Sequence, residues 1–328
     1  MILNNLIFLS LSISILYLIF WASSKLHYFD LPNNDKIIKN KTPNAAGLGL
    51  IFLIICLFLF YDFNYKLTLT LNLTILVIIA GFIDDRLNLD AKYKILVLSI
   101  PILVFVMEVS TINYLGEFND KKLNLNSLSL IFSILCFFLL INASNYMDGI
   151  DGLLALVTVF ILFFFLQQTS GYYVNLFVPF IIYLLSFLLF NFGILPKQFL
   201  GDSGSLGLGF LISSFSMYFT QIEMMIHPSI ITWPLAFIVF EFLSINIIRI
   251  KNKKNIFEKD LNFIFNILLR RYNLKITLII CSSIQIFYSI CGIILSYYEK
   301  YELSLILFFI MFIIYLYMRL KIKKIIYY

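Results

Sequence analysis

The chain has 328 residues, 61% of them hydrophobic and only 13% charged, with a mean hydropathy of +0.96. A soluble domain is nearer half apolar and about a quarter charged, so soluble folds are excluded and a polytopic membrane protein is expected. The net charge of +6 is not a nucleic-acid signal, because the basic residues sit between apolar runs.

Apolar runs of bilayer length fall near 6–22, 45–61, 67–83, 95–109, 128–143, 152–166, 174–195, 206–222, 230–248, 276–295 and 303–320. Lipid offers the backbone no hydrogen-bond partners, so these runs must be helical. The expected fold is an all-α bundle of about 11 transmembrane helices in a single domain, 1–328. The first run lacks a basic segment before it, which argues against a cleaved signal peptide. The segments 23–44, 84–94 and 249–275, the tail from Arg319, and Lys197 together hold 20 of the 24 Lys and Arg residues. The positive-inside rule puts them in the cytoplasm, with the N-terminus outside and the C-terminus inside. Cys56, Cys136, Cys281 and Cys291 lie alone within apolar runs, so neither a disulfide framework nor a zinc site is supported. His27 and His227 are too far apart in sequence to suggest a multi-histidine metal site.

Three polar stretches, all on the expected cytoplasmic side, interrupt the apolar pattern. The first reads Gly81-Phe-Ile-Asp84-Asp85-Arg86, followed by Lys92 and Lys94. Adjacent carboxylates at a membrane surface repel unless a cation or a polar cavity compensates, and hard oxygen ligands are what Mg²⁺ takes. The second is Asn142-Ala-Ser-Asn145-Tyr-Met-Asp148-Gly149-Ile-Asp151-Gly152-Leu153. Its polar residues recur every three positions, and that stripe winds around a regular helix, so Asn142 and Asp151 would point opposite ways. Gly149 and Gly152 allow the helix to break open and present Asp148 and Asp151 to a polar ligand. Ionisable groups at membrane depth cost about 2.5–3.5 kcal/mol each, so they imply a role. The third reads Gly201-Asp202-Ser203-Gly204-Ser205. There Ser203 or Ser205 could cap the following helix, whose N–H groups favour phosphate, and Asp202 could hold a metal beside them. Carboxylate pairs, an anion-binding helix end and basic loops together suit a phosphate-bearing substrate held with Mg²⁺.

These motifs, in this order, resemble the polyprenyl-phosphate N-acetylhexosamine-1-phosphate transferases, over about 30–271. The resemblance implies transfer of a sugar-1-phosphate from a UDP-sugar to undecaprenyl phosphate with release of UMP. The setting implied is the bacterial inner membrane, at the start of an O-antigen-like cell-envelope polysaccharide. It implies Mg²⁺, with Mn²⁺ as a substitute, and Asp202 as its ligand. Asp84, with Asp85 beside it, would be the base or phosphate-orienting group. Asn142, Asn145, Asp148 and Asp151 would line the nucleotide pocket, with Gly201 and Ser205 at the phosphate-binding helix end. A homodimer stays open, and the alternatives are a catalytically silent relative that binds lipid-linked sugars, or a transporter.

Departures from the family pattern also stand in the sequence. Asp30, Pro32, Asn33, Thr42, Pro43 and Gly47 look like the family's first cytoplasmic loop, but Asp35, Ile38 and Asn44 replace its Arg, His and Arg. After Asp260, Phe263, Phe265 and Asn266 stand where a His-x-His-His run belongs. Phe cannot donate to a phosphate, which leaves Arg270, Arg271 or Asn266 as substitutes; the other reading of this stretch is an interfacial amphipathic helix with positive-inside charge. Glu241, inside the ninth run, should face the bundle rather than lipid.

Overall fold

The computed structural model describes residues 2–30, 41–118, 121–253 and 262–326. Pro32, Asn33, Asp35, Ile38 and Asp260 therefore lie outside the described residues. Each of the eleven apolar runs falls largely on a helix: α1 Ile2–Lys25, α2 Gly49–Phe60, α3 Tyr65–Leu87, α4 Ala91–Glu108, α5 Ser129–Met147, α6 Leu153–Gln168, α7 Val174–Asn191, α8 Gly201–Met217, α9 Pro228–Lys251, α11 Leu274–Tyr297 and α12 Tyr301–Ile326. Seven of them (α1, α3, α5, α7, α9, α11 and α12) are long and apolar enough to cross a membrane by length and composition. A short helix, α10 Ile264–Leu269, lies between α9 and α11.

Two small antiparallel ribbons occur, β1 Phe29–Asp30 with β2 Thr42–Pro43, and β3 Tyr114–Phe118 with β4 Lys121–Asn124. Both lie between the helices, where backbone groups can pair with one another rather than along a helix.

Helix α8 is the axis of the bundle. Nearly every residue from Gly201 to Met217 is buried, and its main neighbours are α3 and α5. Between helices in lipid there is no water to expel, so close packing of small residues carries association. Ser203, Gly204, Gly207, Gly209, Ser213 and Ser214 supply it here. The start of α8 thus stands against the ends of α3 and α5, and all three polar stretches share one end of the bundle.

Candidate active site

Local chain geometry brings the acids together. Helix α3 ends where Asn88 adopts φ 47°, a left-handed cap that Asn tolerates. The chain doubles back at once into α4, whose first turn carries Lys94. Its Nζ lies 2.6 Å from Asp84 Oδ2 and 2.7 Å from Asp202 Oδ2. Asp84 is buried, and its other oxygen accepts from the Leu89 backbone N–H at 3.0 Å. Asp85 accepts from Asn44 Nδ2 at 3.1 Å and from the Ser203 N–H at 3.2 Å.

Helix α8 starts earlier than the sequence suggests. Gly201 takes φ 75°, so the turn is made there and the helix begins at Gly201 rather than after a serine cap. Ser203 and Ser205 consequently sit inside the first turns and neither caps them. Ser203 donates to the Leu200 carbonyl, and its own N–H is taken by Asp85. A Cβ on Gly201 would lie 2.7 Å from both Asn44 Oδ1 and Asp85 Oδ2. One on Gly81 would lie 2.4 Å from the Asp202 carbonyl oxygen, so the backbones of α3 and α8 approach as closely as two chains can. The loop before α2 is stitched on as well: the Ala46 N–H donates to the Phe199 carbonyl at 3.0 Å and the Gly47 N–H to the Leu200 carbonyl at 2.9 Å.

The long motif at the end of α5 behaves as its glycines suggest. Asn145 Nδ2 donates to Asp202 Oδ1 and to Ser205 Oγ, both at 2.9 Å. The helix stops at Met147, Asp148 is its cap, and Gly152 at φ 78° turns the chain into α6. Burial, and then the carboxylates of Asp202, Asp85 and Asp151, push the Asp148 carboxyl well above the usual carboxylate range. Asp151 is paired with Lys197 Nζ at 2.5 Å. Asn142 faces elsewhere: its Nδ2 donates to the Phe138 carbonyl one turn back, at 2.7 Å.

Asp84, Lys94, Asp202, Asn145 and Ser205 are therefore joined through shared hydrogen bonds, Asp85 is tied to the same helix start through the Ser203 N–H, and Asp148 lies within electrostatic reach. Arg270 and Arg271 are exposed at the end of α10 and make no ion pair among the described residues; Arg271 lies over the Tyr272 ring at 5.6 Å. Helix α10 packs into the protein through Ile264, Phe265, Asn266 and Ile267, which are all buried. Two residues of the site escaped sequence reasoning. Lys94 was visible only as a basic residue after the aspartate pair. Asn44 was visible only as a departure from the family's Arg, yet it holds Asp85.

Among the described residues, no three His, Cys, Asp or Glu side chains are grouped so as to hold a metal ion. Two carboxylates do share one cation, the Lys94 ammonium. Mg²⁺ is usually bound through one or two carboxylates, with water and substrate phosphates completing its shell, so Asp84 and Asp202 fit such an ion.

Residues 67–220 match the family model for glycosyl transferase family 4. The match includes the acid cluster and ends before Glu241, α10 and Arg319. Similar proteins include the undecaprenyl-phosphate alpha-N-acetylglucosaminyl 1-phosphate transferase of Thermotoga maritima, 25% identical over 66% of this chain and 67% of that protein. A probable undecaprenyl-phosphate N-acetylglucosaminyl 1-phosphate transferase of Bacillus subtilis is 26% identical over 59% of this chain and 56% of its own length. A phospho-N-acetylmuramoyl-pentapeptide-transferase of Clostridium botulinum is 33% identical over 42% and 47%. The matched part thus spans about half to two thirds of these relatives.

Proposed function

We propose that the chain transfers a HexNAc-1-phosphate from a UDP-sugar to undecaprenyl phosphate. An oxygen of the lipid phosphate attacks the sugar-bearing phosphorus, a diphosphate bond forms, and UMP leaves. The observation that carries this reading is the convergence of the α3, α5 and α8 ends on one cation-bearing acid cluster, with Lys94 between Asp84 and Asp202 and Asn145 on Asp202. The names of the relatives give the chemistry its class.

In this reading eleven helices span the bacterial inner membrane with the cluster on the cytoplasmic side, as the bias of Lys and Arg favours. Asp202 and Asp84 hold Mg²⁺, which when bound would neutralise charge on the diphosphate. Asp84 orients the acceptor phosphate, and Asp85 keeps the start of α8 in place through the Ser203 N–H. Asp148 and Asp151 face the nucleotide. A protonated Asp148 can donate a hydrogen bond to a donor oxygen, which an ionised one cannot. Arg270 and Arg271, exposed at the end of α10, would meet the donor phosphates.

Purified protein given undecaprenyl phosphate, Mg²⁺ and a panel of UDP-HexNAc donors is expected to release UMP. Asp202→Asn lowers the rate by at least ~100-fold, the scale of a lost catalytic electrostatic group; unchanged turnover by that variant refutes the metal role. The buried Phe263 and Phe265 favour a second reading, a non-catalytic relative, and retained nucleotide binding with no UMP from any donor would establish it.

A further inference from the structure

Glu241 lies on α9 and is 1% exposed, yet it is fully engaged. Its Oε2 accepts from Arg319 Nε at 2.9 Å and from Tyr315 Oη at 2.6 Å, both on α12. Its Oε1 accepts from Arg319 Nη2 at 3.0 Å and from the Ile264 backbone N–H at 2.6 Å, at the start of α10. Arg319, itself 2% exposed, reaches the other side of the same segment and donates to the Asn262 carbonyl at 2.5 Å. A buried ion pair is weak evidence of stability, because desolvation offsets most of its attraction. This one spends its remaining hydrogen bonds on the backbone of a single short segment.

That segment is packed against the acidic turn. Phe263 and Phe265 stack with ring centres 5.3 Å apart and planes within 5°. Phe263 lies 5.1 Å from the Tyr146 ring. Phe265 Cε2 is so near Gly149 that an added Cβ would stand 2.7 Å from it. Gly149 is the residue after Asp148, inside the turn that also holds Asp151. We infer that Glu241 and Arg319 are positioning residues. Through Asn262 and Ile264 they seat the Phe263–Phe265 wedge against Gly149, and so set the place of Asp148 and Asp151 for the donor.

The effect on the donor rests on the function proposed above; the mechanical coupling does not. Glu241→Leu/Tyr315→Phe/Arg319→Met removes the three hydrogen-bonded side chains together, so that neither Glu241 nor Arg319 is left buried without its partner. Only the anchored backbone atoms of Asn262 and Ile264 lose their partners. Hydrogen exchange of the detergent-purified protein is then expected to rise by about tenfold across 262–270 and also across 146–152, with α8 unchanged, as local opening requires. The KM for the UDP-sugar rises by about tenfold while that for undecaprenyl phosphate stays within about twofold, the signature of a misplaced donor site. Should the triple variant not accumulate, Arg319→Lys is measured the same way; Lys keeps the charge but not the planar fork, and smaller changes of the same sign are expected. Exchange that rises in 262–270 alone, or nowhere, overturns the inference. Coupled exchange in a protein that releases no UMP from any donor leaves the brace standing and removes the proposed function instead.

Discussion

Replacing Lys94 by Met tests whether the space between Asp84 and Asp202 is a cation site. The ammonium lies within 2.7 Å of an oxygen from each carboxylate. Met keeps most of the stem and removes the charge, leaving two acids facing each other. Breaking a fully buried pair costs about 3–5 kcal/mol, and an exposed one about 0–1. Here the Asp84 side chain is 8% exposed, Lys94 23% and Asp202 34%, so the loss falls between those limits, at ~1–3 kcal/mol. At about 2 °C for each kcal/mol in a chain of this size, the thermal midpoint in EDTA should drop by roughly 2–6 °C. Mg²⁺ should then occupy the vacated position and restore it, since a ligand at a hundredfold its Kd contributes about 2.7 kcal/mol. Differential scanning fluorimetry of both proteins, with and without Mg²⁺, reads the difference directly. If Lys94→Met melts with the wild type in EDTA, or gains no more from Mg²⁺ than the wild type does, the carboxylates do not share a cation.

Gly201→Ala is expected to lower both stability and UMP release, because Ala at φ 75° costs about 1–2 kcal/mol and its methyl would crowd Asp85 and Asn44; wild-type behaviour in melting and turnover would show that α8 can start elsewhere. Asp148→Asn tests the raised carboxyl. Because the folded-state value lies above the unfolded one, the stabilising contribution is complete below about pH 4 and is lost as pH rises through the raised value. The variant should therefore gain on the wild type with increasing pH in EDTA melts, and parallel curves would refute the assignment. His227 has the opposite sign. Burial holds its imidazole down at about 4, so wild-type stability should decline as pH falls below about 6.5 toward that value. His227→Gln should be flat over that window; an equal decline in the variant would mean another group titrates.

Much of this architecture was legible in the sequence because lipid leaves the backbone few choices. A run such as 67–83 can only be a helix, and α3 covers it. The break after Asn145 was also legible, since Gly149 and Gly152 make it possible and the threefold polar spacing makes it necessary. The partners of the acids were not. Asp85 binds the Ser203 N–H and Asn44, contacts across 118 and 41 residues of chain, and no local pattern encodes them. The start of α8 is not legible locally, because Ser203 is a good cap in isolation and the left-handed Gly201 makes the turn before it. Asn142 fits the polar stripe, yet its amide is spent on its own helix at the Phe138 carbonyl. Phe263 and Phe265 read as losses beside a histidine pattern, whereas in the fold they are packing elements beneath Gly149.

Two of the carboxylate–cation groups among the described residues are chemically alike and differ in access. Glu241 and Arg319 are 1% and 2% exposed in their side chains, their hydrogen bonds are committed to α10 and α12, and no incoming ion can reach them without opening the bundle. Asp84, Lys94 and Asp202 lie at a helix end, at 8%, 23% and 34% exposure, and their cation is a side chain on the first turn of α4 that can be withdrawn. A sealed pair can hold a segment in place but cannot exchange its counter-ion; an accessible one can trade an ammonium for a metal or a metal-bound phosphate. The same structural vocabulary thus yields a brace in one place and a reactive site in the other. Mg²⁺ should restore the melting of Lys94→Met and give Arg319→Lys no more than it gives the wild type.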